Sequence, residues 1–332
     1  MISRLRDAIL DCGGVGLRLR GGGSKDFYGQ SLGGEILDTR GHSGIVAYEP
    51  AELVVTARAG TPLAELEATL AEKGQLLAFE PPHFAGGDAT VGGCVATGLS
   101  GPRRATAGAV RDHVLGVQIL DGSGQILNFG GQVMKNVAGF DVSRLLVGSL
   151  GTLGLILQVS FKVLPRPVAE ATLRFELPQE QALHLMNQWA GRPLPVSATC
   201  WQEGLLTLRL SGAGAAVAAA RQTLGGEVLA AESAQTFWRK LRDQRLEFFA
   251  GDGALWRLAV PSTAPPLELP GETLIEWGGG QRWWRPGGDG ATTRELAARA
   301  GGHATLFRGG DKGVGVFQPL PPPLLALHRR VK

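Results

Sequence analysis

The chain of 332 residues is poor in the residues that mark several common classes of protein. It has only three cysteines, Cys12, Cys94 and Cys200, and no two of them have the C-x-x-C spacing. A disulfide framework, a zinc site and a protein-ligated iron–sulfur cluster therefore lack their ligands. The sequence predicts no metal site.

An excess of one charge and a long apolar run are lacking too. The 33 basic and 30 acidic side chains leave a net charge of +3, and the excess is scattered. This pattern favours neither nucleic acid nor an anionic membrane surface as a partner. No stretch reaches membrane-spanning length, and the N-terminus (MISRLRDAILDCGG) predicts an amphipathic helix rather than a signal peptide. We expect a cytoplasmic protein without a transmembrane segment.

Glycine is abundant, with 50 residues, and it punctuates short strand-like runs in the first half. The runs rich in β-branched residues predict strands at 17–20, 44–49 and 52–60, a hairpin at 114–131 and a strand within 145–164. A helix is predicted over 61–74. Thr61 is expected to cap it, Pro62 suits its first position and Gly74 suits its exit.

Two prolines in LPRPVAE (164–170) mark the expected boundary between two domains, 1–166 and 167–332. Beyond it, strand-like runs alternate with helical ones, including an amphipathic helix over 233–249. This pattern predicts a smaller α+β domain with an antiparallel sheet. The expected fold class of the whole chain is α+β.

Three glycine-rich loops stand out in the first half. The first loop, 21–24, follows a strand, the second spans 86–117, and the third is GSLGTLG (148–154). Glycines let backbone N–H groups approach an anion, although the first loop taken alone favours a tight turn without a ligand. Neither the G-x-G-x-x-G of a dinucleotide fold nor a Walker A motif is present. Three such loops indicate one large, extended ligand rather than a mononucleotide.

Three segments resemble a known family. They are RGGGSKDFYG (20–29), DATVGGCVATGLSGPRRATAGAVRDHVLGVQILDGSGQI (88–126) and KNVAGFDVSRLLVGSLGTLGLI (135–156). In order and spacing they resemble the vanillyl-alcohol-oxidase or PCMH-type FAD-binding family, and within it the FAD-binding subunits of bacterial glycolate oxidases. The resemblance covers about residues 15–165, with a looser likeness in TFWRKLR and GGHATLFRGG (301–310).

The resemblance implies a PCMH-type FAD-binding domain of two α+β subdomains that clamp an extended FAD, followed by a cap domain. It implies that the residues holding the cofactor are Gly21, Gly22, Gly23, Ser24, Thr90, Gly92, Gly93, Thr97, Gly98, Ser100, Ala107, Gly108, Arg111, Asp112, Gly151, Gly154 and Ile156. Relatives that bind FAD covalently have a histidine in the first loop. Here the run is Arg20-Gly21-Gly22-Gly23-Ser24, so we expect non-covalent FAD.

By the same resemblance the chain is an FAD-binding subunit of a glycolate oxidase complex, supporting oxidation of the 2-hydroxy acid glycolate to glyoxylate. Its partners would be a homologous FAD-containing catalytic subunit and an iron–sulfur subunit, and its association with the inner membrane would be peripheral. Two alternatives stay open: a self-sufficient FAD-dependent 2-hydroxy-acid dehydrogenase, and a structural subunit that binds no flavin.

Catalytic residues cannot be assigned from the sequence. Of the six histidines, His83 and His303 are expected nearest the flavin, while His42 is expected in solvent. Catalytic relatives carry a motif resembling G-D-G-N-x-H, where this chain has GGDKGVG (309–315). The arginines available for a substrate carboxylate are Arg282, Arg285 and Arg308.

Two further segments have alternative interpretations. The Trp283–Trp284 pair fits either a partner-binding surface or the core of the second domain. QPLPPPLLAL (318–327) fits a polyproline II segment that docks on a neighbour, or a stiff tail. The chain ends at LHRRVK without the F-D-P-x-G-I-F-N-P-G-R-like segment of the resembling subunits, so we expect a truncated or divergent end.

Overall fold

The computed structural model describes residues 1–14, 16–84, 88–131, 141–286 and 291–332. Parts of the second loop (86–87) and of the third resembling segment (135–140) lie outside the described residues. None of the helices in the described ranges is long and apolar enough to cross a membrane.

The N-terminal region is built around a five-stranded antiparallel sheet. Its elements are α1 (Ile2–Asp11), β1 (Leu17–Arg20), β2 (Glu35–Asp38), β3 (Ile45–Glu49), β4 (Val54–Arg58), α2 (Leu63–Glu72), β5 (Gln75–Leu76), α3 (Val91–Thr97), α4 (Arg104–Ala107), α5 (Val110–His113), β6 (Val114–Leu120), β7 (Ile126–Gly130), α6 (Val142–Leu145), β8 (Leu155–Lys162) and β9 (Leu164–Pro165). The sheet order is β3-β4-β8-β6-β7. β1 and β2 form a separate parallel pair, and β5 pairs with β9.

The C-terminal region holds an eight-stranded antiparallel sheet. Its elements are β10 (Ala169–Glu176), α7 (Gln179–Ala190), β11 (Val196–Gln202), β12 (Leu205–Gly212), α8 (Gly214–Leu224), β13 (Glu227–Val228), α9 (Ala231–Arg242), β14 (Leu255–Ala259), β15 (Gly271–Glu276), β16 (Gln281–Pro286), α10 (Ala291–Arg299), β17 (His303–Arg308) and α11 (Pro322–Val331). The order is β13-β10-β12-β11-β15-β16-β14-β17. The α+β class and the antiparallel second sheet are therefore confirmed, while the domain boundary at 166/167 stays a prediction.

The sequence pattern explains why the first sheet is covered. Leu63, Leu66 and Leu70 recur at three- and four-residue spacing, so they share one face of α2, and all three are buried. They pack with Val55 and Val159 of the central strands β4 and β8. Most residues of β4 and β8 are buried. A strand buried along most of its length needs apolar side chains at most positions, and both sequences have them.

Several local predictions are wrong. Thr61 does not cap α2: its hydroxyl oxygen accepts the Gly44 N–H at 2.9 Å, and Pro62 takes the N-cap position. The long helix ends at Arg242 rather than 249. Residues 322–331 form α11, where polyproline II or a stiff tail was expected over 318–327, because prolines are tolerated in a first helical turn whose N–H groups need no partner.

The two regions meet in an apolar cluster and a set of polar contacts. Tyr28, Phe84 and Leu99 of the N-terminal region pack with C-terminal side chains that include Trp283 and Phe307. Trp283 and Trp284 are buried, so the core interpretation of this pair is the right one. The indole N–H of Trp277 donates to the Gly101 carbonyl at 3.1 Å across the same boundary.

Candidate cofactor-binding site

The three glycine-rich loops meet in one place, which we call the glycine cleft. It consists of a cleft of about 370 Å³ and an adjoining cavity of about 70 Å³. The two share Leu19, Arg20, Gly21, Gly93, Ala96 and Leu150. Two lengths of chain far apart in sequence are hydrogen-bonded here: the Gly148 and Leu150 N–H groups donate to the carbonyls of Val95 and Ala96, at 3.0 and 2.8 Å.

Eleven of the predicted cofactor residues line the glycine cleft. The larger cleft holds Gly21, Gly22, Gly23, Ser24, Thr90, Gly93 and Thr97, and the smaller cavity adds Gly92, Gly151, Gly154 and Ile156. These residues come from the loop after β1, from α3 with its cap, and from the chain entering β8. The convergence expected of one extended ligand is therefore present.

The first loop is shaped so that only glycine fits. A side chain at residue 21 would collide with the Thr90 hydroxyl, and one at residue 22 would overlap the Asp88 carbonyl. Within the described residues, the backbone N–H groups of Gly22, Gly23 and Ser24 have no hydrogen-bond acceptor. These donors are thus free for an anionic group such as a pyrophosphate.

Charged side chains flank this loop. Arg18 and Arg20 both contact Asp26, at 2.5 and 2.7 Å, whereas Lys25, beside Ser24, has no carboxylate oxygen within 4.0 Å in the described part of the chain. Burial lowers the pKa of Lys25, against the opposing influence of Cys94 and Asp243. A phosphate in the cleft would favour the charged ammonium and would offset that cost of burial.

Six of the predicted residues do not line the glycine cleft. After α3 the chain turns away at Gly98, whose φ of +63° is left-handed and which packs on Gly148. Ser100 accepts the Val110 N–H at 3.2 Å and lines a separate small cavity between the two regions. Arg111 is exposed, and Asp112 accepts the Ala109 N–H at 2.8 Å. Ala107 and Gly108 belong to the same excursion, α4 to α5.

Tyr28, Leu150 and Phe317 are among the lining residues that the sequence did not predict. Tyr28 and Leu150 stand inside segments already singled out, so the motif itself was the available signal. Phe317 lies almost 300 residues further on, and its ring packs edge-on against Tyr28 with the ring centroids 6.0 Å apart. Nothing in the local sequence around Phe317 indicates that contact.

The histidines contribute little to the cleft. His42, expected in solvent, is buried, and this burial lowers its pKa. The imidazole Nε2 of His83 contacts a Glu67 carboxylate oxygen at 2.8 Å, and His83 is absent from the cleft lining. His303 is exposed at the start of β17.

The three candidate arginines are committed to structural roles. Arg282 is buried and donates to the carbonyls of Ala264, Pro265 and Gly279. Arg285 and Arg308 likewise donate to carbonyls of the segment 248–250. Their donors point at backbone oxygens, so none of the three is assigned to a substrate carboxylate.

Comparison with known proteins shows the family of the chain. A family model described as an FAD binding domain matches residues 4–130. The glycolate oxidase subunit GlcE of Escherichia coli K12 is 48% identical over 332 residues, which cover 100% of this chain and 92% of that protein.

More distant relatives match a shorter stretch. The glycolate oxidase subunit GlcD of Bacillus subtilis is 31% identical over 141 residues, 42% of this chain and 30% of that protein. A D-lactate dehydrogenase of Archaeoglobus fulgidus is 34% identical over 140 residues, 42% of this chain and 31% of that protein.

A solved structure of alkyldihydroxyacetonephosphate synthase superposes with a TM-score of 0.66 at 15% identity, covering 99% of this chain and 71% of that one, and it shows the fold alone. The 48% identity to GlcE over the whole chain shows the family as well. The chain belongs to the family of the glycolate oxidase subunit GlcE, it is a subunit of an FAD-dependent oxidoreductase, and its cofactor is FAD.

Proposed function

We propose that this chain is the FAD-binding subunit of a glycolate oxidase complex and supports the two-electron oxidation of glycolate to glyoxylate. The observation that carries the proposal is the 48% identity to GlcE over the whole chain, combined with a cleft that glycines of all three loops line. FAD supplies the redox chemistry when bound, and the protein supplies binding and orientation.

The proposed FAD contacts are the eleven predicted residues that line the glycine cleft. In this proposal the free N–H groups at residues 22–24 and the Lys25 ammonium hold the pyrophosphate. Gly151, Gly154 and Ile156 are proposed to lie beside the adenosine. Because the first loop has no histidine, the proposed attachment is non-covalent.

We also propose two partners, a homologous FAD-containing catalytic subunit and an iron–sulfur subunit. The relative GlcE is a subunit of glycolate oxidase, which supports the proposal that this chain works in a multi-subunit complex. In the described part of this chain, no group of three or more His, Cys, Asp or Glu side chains is placed to hold a metal ion. Electrons would therefore leave through a partner, and the assembly would lie in the cytoplasm or at the inner face of the membrane.

The cofactor proposal is tested by a matched pair of glycine variants. Gly22→Ala forces a methyl group onto the Asp88 carbonyl, whereas Gly33→Ala places one in open space nearby. Since overpacking costs about 1–3 kcal/mol, we expect Gly22→Ala to weaken FAD binding by about tenfold or more and Gly33→Ala to leave it unchanged. The measurement is titration of apoprotein with FAD, followed by flavin fluorescence.

Acid precipitation of the yellow protein decides the mode of attachment: flavin in the supernatant supports the proposal, and flavin in the pellet contradicts it. Co-expression with the proposed partners then tests the function, because glycolate should reduce a dye only when the complex is present. Turnover by the purified chain alone would instead establish a self-sufficient dehydrogenase, and a colourless chain that binds no FAD would sink the proposal.

A further inference from the structure

A second cleft, larger than the glycine cleft, lies between the two regions, and we call it the arginine cleft. Its volume is about 830 Å³, and it adjoins a cavity of about 450 Å³ with which it shares Glu80, Glu170, Arg209, Gln235 and Arg242. Neither part shares a lining residue with the glycine cleft. A ligand here would therefore be a molecule other than the FAD.

The lining carries more guanidinium groups than carboxylates. Its cations are Arg103, Arg166, Arg209, Arg221, Arg239 and Arg242, and its anions are Glu67, Glu80, Glu170 and Glu232. Asp243, which pairs with Arg242 beside the cleft, brings the carboxylates to five, so the difference, six minus five, is one positive charge. A cleft with low-dielectric walls concentrates the field of such an excess and attracts anions.

Three of the six arginines of the cleft are paired with carboxylates. Arg103 and Arg209 both contact Glu80, Arg103 also contacts Glu170, and Arg242 contacts Asp243 and Glu67. Within the described ranges, Arg166, Arg221 and Arg239 have no carboxylate oxygen within 4.0 Å. The excess thus resides in three arginines contributed by three different parts of the chain.

The floor of the arginine cleft is rigid and polar. Arg209 is only 5% exposed, donates through Nε to the Ser197 hydroxyl at 3.0 Å, and stacks over Trp238 at 4.9 Å. The Trp238 indole N–H donates to the Thr172 hydroxyl at 2.9 Å. A guanidinium held in this way cannot turn to solvent, and because Glu80 compensates its charge, Arg209 shapes the floor without adding to the positive excess.

We propose that the arginine cleft binds a small multivalent oxyanion, either a di- or tricarboxylate or a phosphate ester, with Arg221 and Arg239 as direct ligands. Guanidinium groups match carboxylate and phosphate oxygens in a bidentate geometry, which favours these classes of ligand over halides. The site would let this subunit sense or retain an acidic metabolite while FAD occupies the glycine cleft.

The test uses the purified FAD-loaded protein and isothermal titration with citrate, inorganic phosphate and, as a monovalent control, acetate at equal ionic strength. We expect saturable binding of citrate or phosphate, and the stronger of the two distinguishes a carboxylate from a phosphate site. Arg221→Gln/Arg239→Gln should weaken that binding by about tenfold. The matched control, Arg329→Gln/Arg330→Gln, removes the same charge from the exposed helix α11 and should change it less than about twofold.

Flavin absorbance must stay unchanged throughout, which separates this site from the glycine cleft. Equal binding of acetate and citrate, or equal weakening in both double variants, would reduce the effect to general electrostatics and overturn the proposal. Absence of saturable binding of citrate and phosphate would overturn it as well.

Discussion

At Glu276 the C-terminal region buries a carboxyl group without an ion-pair partner among the described residues. One carboxylate oxygen accepts both the Trp283 indole N–H and the Gln281 amide, at 2.6 and 2.7 Å. Burial raises the pKa of Glu276 to about 7, although the two hydrogen bonds oppose the shift. The folded protein therefore holds this proton over a pH range in which the unfolded chain has lost it.

This residue predicts a pH dependence of stability. Because the folded pKa of about 7 exceeds the ordinary 4.5, the stabilising contribution is complete below about pH 4.5 and is lost as the pH rises through 7. The difference corresponds to about 3 kcal/mol. Glu276→Gln stays neutral and keeps an acceptor oxygen, so we expect it to match the parent chain near about pH 4 and to exceed its free energy of unfolding by about 3 kcal/mol near about pH 8. Urea titrations at both pH values measure this, and a pH-independent difference would refute it.

Helix α3 packs against the N-terminal sheet region and also lines the glycine cleft. Its N-cap, Thr90, accepts the Gly93 N–H at 3.3 Å, and its end at Gly98 packs on Gly148. Gly92 lies so close to Ala59 of the first sheet region that a side chain there would press on it. The helix is thus fixed at both ends and along one side, and its remaining side contributes Gly93 and Thr97 to the glycine cleft.

The cap can be tested separately from the cleft. Thr90→Ala removes the hydroxyl, so we expect a loss of about 1 kcal/mol in the free energy of unfolding of the apoprotein. Thr90→Ser keeps the acceptor and should restore the loss to within a few tenths of a kcal/mol. Chemical denaturation of the two apoproteins is the measurement. Equal destabilisation by both variants would mean that the methyl group, packed against Gly21, matters rather than the cap.

For the molecule as a whole, Glu80 connects the two regions. Its carboxylate contacts Arg103 of the N-terminal region and Arg209 of the C-terminal sheet, and it accepts the Arg103 N–H at 2.8 Å. Burial alone would raise the pKa of Glu80, but the two guanidinium groups outweigh it and hold the pKa below its ordinary value. The carboxylate is therefore charged at neutral pH.

Removing this carboxylate leaves a buried guanidinium uncompensated. We expect Glu80→Ala to lower the free energy of unfolding by about 3–5 kcal/mol, the cost typical of breaking a buried ion pair from one side. Glu232→Ala is the control, since that carboxylate lies exposed in the same arginine cleft and has no cation within 4.0 Å among the described residues. Differential scanning calorimetry compares the two, and similar melting temperatures would show that Glu80 does not hold the regions together.

Local patterns predicted much of this architecture. The apolar spacing in α2, the turn at 121–124 and the second antiparallel sheet follow from residues close in sequence, and glycines with neighbouring hydroxyls indicated the three loops. The predictions that failed concern residues whose positions depend on contacts with parts of the chain far away in sequence. Thr61 serves a turn at Gly44, His42 is covered by tertiary packing, and Phe317 reaches Tyr28 from the opposite end of the chain.

Of the residues predicted to hold the cofactor in the second loop, those at 90–97 line the glycine cleft and those from 98 onward lie elsewhere, and their role in binding FAD stays a prediction. Residues 90–97 lie on one short helix, so their placement follows from the motif. The left-handed Gly98 redirects the chain, and Arg111 and Asp112 lie on the exposed side of α5, whose Val110 packs in the N-terminal core.

The contact between Phe317 and Tyr28, with the Lys312 ammonium donating to the Phe27 carbonyl at 2.9 Å, has a consequence for biogenesis. One wall of the glycine cleft is translated near the start of the message and another near residue 317. A nascent chain still on the ribosome therefore has an incomplete cleft. If this cleft holds FAD as we propose, cofactor loading should follow release of the polypeptide.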